Sequence, residues 1–182
     1  LLIATLASVF VITAGAEEQT YEKVTSAPTD WSGTYLIVYE GGNVAFDGSR
    51  TTLDAVSNTV AATVTDGKIT GDFSANTFVI EKSGENYTIK SKSEYYIGLT
   101  SNANKLNSSK DTTFTNTISL NDGGTVDIVS SGGAYLRYNA ASDQLRFRYY
   151  KSSTYSKQKA ITLYKLVENT SPDCTHTNTE TH

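Results

Sequence analysis

Tyr87-Thr-Ile-Lys-Ser-Lys-Ser-Glu-Tyr-Tyr-Ile97 aligns without gaps on Val126-Asp-Ile-Val-Ser-Ser-Gly-Gly-Ala-Tyr-Leu136. Each copy belongs to a longer pattern in which three apolar residues follow one another at spacings of 8 and 9, and the same spacings occur once more upstream. The three triplets are Ile89, Ile97 and Leu106; Ile128, Leu136 and Leu145; and Leu36, Val44 and Leu53. The chain therefore contains an internal repeat of three units, near residues 33–82, 83–121 and 122–166.

The runs between these anchors are typical of short β-strands. β-branched and aromatic stretches alternate with Gly, Asn, Asp and Ser clusters from Tyr21 to Leu166, without helical periodicity, which predicts an all-β fold. Each triplet is followed by one more such stretch, for example Phe78-Val-Ile80, so each unit has four strands. Three four-stranded units that cannot bury their apolar faces alone predict a β-trefoil, a six-stranded barrel capped by three hairpins. A β-sandwich is the alternative, but it leaves the triple spacing unexplained.

Two local features extend this prediction. Asp66-Gly67 separates two strand-like runs and is a strong signal for a hairpin, which we expect as an insertion that lengthens the first unit. Tyr21-Glu-Lys-Val24 is expected to form an N-terminal strand near the last strand.

Both ends of the chain differ from the repeat. Residues 1–16 form an apolar run that ends in Ala14-Gly15-Ala16, typical of a secretory signal peptide without its basic start. The run is shorter than the roughly 20 residues of a transmembrane helix, so we expect an extracellular or cell-surface protein with no membrane contact in its mature form. Residues 167–182 are polar and predict a linker to a downstream module. Cys174 and His176 in this linker are only two of the four ligands of a structural zinc, or half of a disulfide.

Composition narrows the chemistry of the domain. Residues 17–173 contain no histidine and no cysteine, which excludes Ser-His-Asp and Cys-His catalysis and imidazole or thiolate metal sites there. The net charge of −4 argues against wholesale nucleic-acid binding. Carboxylate pairs such as Asp47 with Asp54, or Asp66 with Asp72, lie in turn-like contexts, where Asp ordinarily bonds its own backbone. We therefore expect a monomeric, non-catalytic module without a cofactor.

Three segments carry a resemblance to a known module. Asp30-Trp-Ser-Gly-Thr-Tyr-Leu-Ile-Val-Tyr39, together with Tyr135-Leu-Arg-Tyr-Asn139 and Arg146-Phe-Arg-Tyr-Tyr150, resembles a little-characterised accessory module of large secreted proteins from anaerobic Gram-positive bacteria. The resemblance covers roughly residues 20–166 and implies a role beside other domains of one polypeptide, without implying site residues. Ricin-type trefoils carry a Gln-x-Trp signature in each repeat, and this chain has none.

Residues 122–166 are basic, with clustered arginines and tyrosines, although the whole chain is acidic. Residues 122–166 hold seven basic and three acidic residues, a net charge of +4. If Leu145, Phe147 and Tyr149 face the core, strand alternation turns the intervening side chains outward. The candidate ligand-binding residues are Arg137, Arg146, Arg148, Tyr150 and Tyr155.

Such a surface favours carbohydrate binding, since guanidinium groups bond anions bidentately and flat rings stack on sugar faces. The second unit has Asn107 and Asp111 where the third has Arg146 and Tyr150, so we expect one site per chain. A structural spacer whose charges only keep a strand soluble, a protein-interaction domain using Tyr95 or Tyr96, and a nucleic-acid binder remain as alternatives.

Overall fold

A computed structural model describes residues 18–151 and 155–168, and this described part of the chain contains fifteen β-strands and one 3-10 turn, Glu40–Gly42. The strands are β1 Gln19–Lys23, β2 Gly33–Tyr39, β3 Val44–Phe46, β4 Thr59–Ala61, β5 Lys68–Gly71, β6 Phe78–Ser83, β7 Asn86–Ser91, β8 Tyr96–Gly98, β9 Asn107–Ser109, β10 Thr115–Leu120, β11 Val126–Ser130, β12 Tyr135–Asn139, β13 Arg146–Tyr150, β14 Gln158–Lys159 and β15 Thr162–Leu166. Among these residues, no helix is long and apolar enough to cross a bilayer.

Six strands close into a barrel in the order β2, β6, β7, β10, β11 and β15. The neighbours pair antiparallel, and β15 pairs with β2 with Leu163 opposite Ile37. The ring closes just before β15, where the Val126 amide donates to the Ile161 carbonyl at 2.8 Å. Closure gives each of the six strands a neighbour on both sides, so the barrel has no free edge.

In chain order the six barrel strands form three pairs, β2 with β6, β7 with β10, and β11 with β15, and a hairpin lies between the two strands of each pair. β3–β4 lies between β2 and β6 in the chain, β8–β9 lies between β7 and β10, and β12–β13 lies between β11 and β15. This order of barrel strand, two hairpin strands and barrel strand occurs three times, which is the connectivity of a β-trefoil. The predicted fold class is confirmed. The β-sandwich alternative is wrong, because all strands of residues 18–151 and 155–168 belong to one sheet that closes on itself.

The inserted hairpin adds a side layer to the barrel. Asp66 and Gly67 have φ values of 49° and 73°, as a type I′ turn requires, and Thr65 and Lys68 exchange two backbone hydrogen bonds of 2.9 Å. β5 then pairs with β1, which in turn pairs with β15. The predicted turn and the predicted N-terminal strand beside the last strand are confirmed. The two runs that flank the turn pair only at Thr65 and Lys68, because β4 pairs with β3 and β5 with β1.

The barrel interior contains most of the predicted apolar anchors but not all of them. Leu145 is 38% exposed, because it lies in the turn before β13, where strand alternation has not begun. Leu36 is buried, but it packs in a second cluster beneath β1 and β5. Ile37 is the residue that faces the barrel interior, opposite Leu163. The first anchor of the first unit is therefore Ile37 and not the predicted Leu36.

Asn58 joins the first and third units inside the protein. Its side-chain amide donates to the Leu53 carbonyl at 2.7 Å and to the Phe147 carbonyl at 2.9 Å. Its oxygen accepts from the Phe147 amide at 2.8 Å, and the residue has no solvent exposure. These bonds position β13 against the loop that precedes β4.

The predicted signal peptide, residues 1–16, lies outside the described residues, and so do Cys174 and His176. Of the predicted linker, only residues 167 and 168 are described. The Val167 amide donates to the Thr20 carbonyl at 2.9 Å, so the linker begins beside β1.

Candidate functional site

The hairpin of β12 and β13 has two faces of different chemistry. Leu136 and Tyr149 lie opposite each other on the core side, as do Tyr138 and Phe147. Successive side chains of a strand point to opposite faces, so the remaining residues of both strands share the other face. We call it the outer face, and it consists of Tyr135, Arg137, Asn139, Arg146, Arg148 and Tyr150.

Arg137 lies on the outer face but is buried, with only 6% of its surface exposed. Its guanidinium donates to the Asp127 carboxylate at 2.6 Å and to the Leu136 carbonyl at 3.2 Å. It also lies over the Tyr135 ring, 4.9 Å from the ring centroid. The expectation of an exposed Arg137 is wrong, because its charge is matched within the sheet and its stem is covered by neighbouring side chains.

Tyr150 is likewise on the outer face but only 5% exposed. It lies opposite Tyr135, and the outer edge of β13 is not free, because the Lys105 amide donates to the Tyr149 carbonyl at 3.1 Å. The prediction that Tyr150 is exposed is therefore wrong. Alternation gives the face on which a side chain lies, whereas its exposure depends on segments that are distant in the sequence.

Arg148 is partly accessible and is paired with a carboxylate from another unit. Its Nε lies 3.0 Å from one oxygen of Asp54, and its Nη2 donates to the other at 3.2 Å, with both side chains 22% exposed. Arg148 also lies directly opposite Arg137 across the two strands. Like charges in that position destabilise a sheet, so Asp54 and Asp127 are needed to neutralise the pair.

Arg146 differs from the other two arginines. It is half-buried, and within the described ranges it forms no ion pair. Its Nη2 donates to the Gln144 side-chain oxygen, and its Nε is buried without an acceptor. Asn139 lies opposite Arg146 on one side and opposite Gln158 of β14 on the other. The Gln158 side-chain oxygen is also buried without a donor, so this end of the face holds an unused donor and an unused acceptor.

Tyr155 is the most exposed aromatic side chain near this face, at 52%. Its carbonyl accepts from the Gln158 amide at 2.9 Å, which ties it to the turn that leads into β14. Two exposed apolar side chains, Val56 at 45% and Leu145 at 38%, lie on neighbouring loops joined by the bond from the Ser57 amide to the Leu145 carbonyl. An exposed ring and an apolar pair thus accompany the arginines.

Sequence reasoning did not find every polar member of this site. Gln158 was missed because the two-residue strand β14 has no sequence signal of its own. Tyr135 was missed although strand alternation places it on the same face as Arg137.

Two of the candidate carboxylates, Asp47 and Asp72, behave as turn residues, whereas Asp54 accepts from the Leu106 amide at 3.2 Å and pairs with Arg148. Asp47 accepts from the Ser49 amide and hydroxyl, and Asp72 accepts from Ser74 in the same way, as predicted for Asp in turns. Burial alone would raise the pKa of Asp47, but the hydrogen bonds from Ser49 and Asn76 outweigh it and hold that pKa below its usual value. A general acid at neutral pH needs a raised pKa, so Asp47 is unsuited to that role.

No metal-binding cluster of three or more His, Cys, Asp or Glu residues occurs within residues 18–151 and 155–168. A groove of about 520 Å³ lies on the inserted hairpin, away from the residues of the outer face. It is lined by Thr63, Thr65, Asp66, Lys68 and Thr70.

The corresponding hairpin of the second unit lacks this chemistry. Tyr96 begins β8 as Tyr135 begins β12, but Ser109 lies opposite Tyr96 where Tyr150 lies opposite Tyr135. By this register Tyr150 corresponds to Ser109 and not to Asp111, and Asn107 corresponds to Arg148 and not to Arg146. The reason is that Tyr135 and Tyr150 are farther apart in the chain than Tyr96 and Ser109 are. The arginine and tyrosine ladder remains specific to the third unit.

Comparisons with known proteins extend to the fold alone. No family model matches the chain, and no curated protein matches it in sequence. Among solved structures, the Rhizoctonia solani agglutinin is similar, with a TM-score of 0.50 and 18% sequence identity. The similarity covers 78% of this chain and 99% of that chain. It supports the β-trefoil assignment, and the resemblance to a module of anaerobic Gram-positive bacteria stays a prediction.

Proposed function

We propose that the chain is a secreted, non-catalytic module that binds a glycan. Its binding surface is the accessible part of the outer face, formed by Tyr135, Arg146 and Arg148, with Gln158 of β14 and Tyr155 beside it. The similar fold of a chain named as an agglutinin is compatible with a binding role.

The observation that carries this proposal is the pair of unused polar atoms at the Asn139 end of the outer face. Among the described residues, Arg146 Nε has no acceptor and the Gln158 oxygen has no donor, and such atoms cost free energy when they stay unpaired. Sugar hydroxyls both accept and donate hydrogen bonds, so an oligosaccharide lying across Asn139 offers hydroxyls to both residues. The Tyr135 and Tyr155 rings supply flat surfaces for the apolar side of a sugar ring.

The alternatives are less well supported. Nucleic-acid affinity comes from free cations that neutralise phosphates, and two of the three guanidiniums on this face are already paired with Asp54 and Asp127. A protein partner would also satisfy the unpaired donor and acceptor, and an empty glycan array would favour that alternative or a structural spacer.

A glycan array with matched variants tests the proposal. Tyr135→Ala removes the ring on the outer face, whereas Tyr96→Ala removes the corresponding ring of the second unit. Both tyrosines are half-buried and lie beneath a cation, Arg137 at 4.9 Å and Lys90 at 5.7 Å, so the two variants perturb the fold similarly. We expect selective binding that Tyr135→Ala and Tyr155→Ser weaken at least tenfold and that Tyr96→Ala leaves unchanged. An empty array, or equal loss in Tyr135→Ala and Tyr96→Ala, would sink the proposal.

Secretion rests on residues 1–16, which are apolar and end in a small-x-small site. Expression of the chain with a start codon and basic residues added before Leu1 in a secreting bacterium tests it. We expect a mature product in the medium whose N-terminus, determined by mass spectrometry, is Glu17. Retention of an uncleaved chain inside the cell would contradict secretion.

A further inference from the structure

We infer that the glycan carries an anionic group, a carboxylate or a sulfate, and that Arg146 binds it. This inference rests on the proposed function and adds the chemical class of the ligand.

The charge balance of the outer face points to an anion. Arg137 is neutralised by Asp127 at 2.6 Å, and Arg148 is neutralised by Asp54 at 3.0 Å. Arg146 has no carboxylate of the described chain within 4 Å, although it lies on the same face and is equally half-buried beside Arg148. A partly desolvated guanidinium is less costly when an anion approaches it, so the missing partner is best supplied by the ligand.

The environment of the Arg146 guanidinium is already arranged for such an anion. Gln144 holds one end of the fork through Nη2, and its neutral amide oxygen occupies a place that suits an anionic oxygen. A carboxylate or sulfate oxygen forms charge-assisted hydrogen bonds with guanidinium that are roughly twice as strong as neutral ones. The anionic group of the ligand therefore displaces the half-buried Gln144 side chain, and the hydrogen bond to Arg146 becomes stronger by the exchange.

The surroundings favour a sugar as the carrier of the charge. Leu145 precedes Arg146 directly, and the Ser57 amide bond to the Leu145 carbonyl at 2.7 Å brings the exposed Val56 close by. Gln158, two strands away across Asn139, offers an acceptor for a hydroxyl. An apolar contact, a charged contact and a hydroxyl acceptor side by side match an acidic sugar better than an inorganic anion.

The test uses a glycan panel in which each acidic glycan is paired with its neutral counterpart. Uronate glycans are paired with their methyl esters and sulfated glycans with their desulfated forms, so the two arms distinguish the sources of the anion. Binding is measured for the full chain, for Arg146→Gln, for Arg146→Lys and for Lys92→Gln. Lys92 is an exposed residue of the second unit, so this variant makes the same change in net charge away from the outer face.

We expect the full chain and Lys92→Gln to bind the acidic member of a pair at least tenfold more tightly than the neutral member. Arg146→Gln should bind both members alike and the neutral member more weakly than the full chain does, because the hydrogen bond from Nε is lost as well, and Arg146→Lys should keep part of the preference. Equal binding of acidic and neutral members by the full chain overturns the inference but leaves the proposed function standing. A preference for the acidic member retained in Arg146→Gln likewise overturns the inference and leaves the proposed function standing. Failure of the full chain to bind any glycan overturns both the inference and the proposed function. Tighter binding to a single-stranded DNA oligonucleotide than to every acidic glycan also overturns the inference.

Discussion

Replacing Asn58 by alanine should lower the free energy of unfolding strongly, because the change leaves buried backbone groups in two units without hydrogen-bond partners. Asn58 has no solvent exposure, and its amide makes three hydrogen bonds of 2.7, 2.9 and 2.8 Å to the backbone of Leu53 and Phe147. Phe147 lies in β13, so this one side chain connects the first unit with the hairpin that carries the outer face.

The magnitude follows from the groups left unpaired. Alanine leaves the Phe147 amide, the Phe147 carbonyl and the Leu53 carbonyl buried without partners, at about 1–3 kcal/mol each. Water reaching one of them reduces the total, so we expect a loss of about 3–5 kcal/mol in the free energy of unfolding. For a domain of this size that is a decrease of roughly 6–20 °C in Tm.

Urea unfolding followed by circular dichroism measures the effect, with Asn102→Ala as the control. Asn102 is exposed, so its replacement should change the free energy of unfolding by less than about 0.5 kcal/mol. A change below about 1 kcal/mol in Asn58→Ala, or one equal to that of Asn102→Ala, would show that the two units are not held together in this way.

Two further predictions concern pH and the backbone. Burial alone would raise the pKa of Glu40, but hydrogen bonds from Lys23 and Tyr164 outweigh it and lower that pKa below 4.5. The stability that Glu40 contributes is therefore complete above pH 4.5 and is lost as the pH falls through the folded-state pKa, so unfolding curves of the chain and of Glu40→Gln should converge at acid pH. A difference that grows on acidification would refute this. In the second, Gly67→Ala should cost about 1–2 kcal/mol through its positive φ alone, since a Cβ there meets no other atom. Gly98→Ala should prevent native packing, because its Cβ would collide with the Phe114 side chain; equal thermal shifts for the two variants would be the contrary result.

The fold could be predicted because its signals are local and repeated. The type I′ turn at Asp66-Gly67 needs only two residues, and the apolar anchors Ile89, Ile97, Ile128 and Leu136 recur at fixed spacing. The shift from Leu36 to Ile37 could not be predicted from the first unit alone. Both residues are apolar and buried, and the side layer of β1 and β5 gives Leu36 a second cluster to enter.

The candidate site could be predicted only in part. Strand alternation placed Arg146 and Arg148 on one face, but exposure depends on long-range contacts. Arg137 is buried by its ion pair with Asp127, and Arg148 is neutralised by Asp54, a residue of the first unit that nothing in the local sequence connects with it. Gln158 enters the site through a two-residue strand.

The measurement that tests the central claim most directly is an amide chemical-shift titration of the labelled chain with a glycan selected on the array. If the outer face of the third unit is the single binding surface, the shifts concentrate in residues 135–150 and 155–159 and saturate at one glycan per chain. The corresponding hairpin at residues 96–109 then stays unperturbed. Shifts concentrated in that hairpin, or around the groove at residues 63–70, would contradict the account.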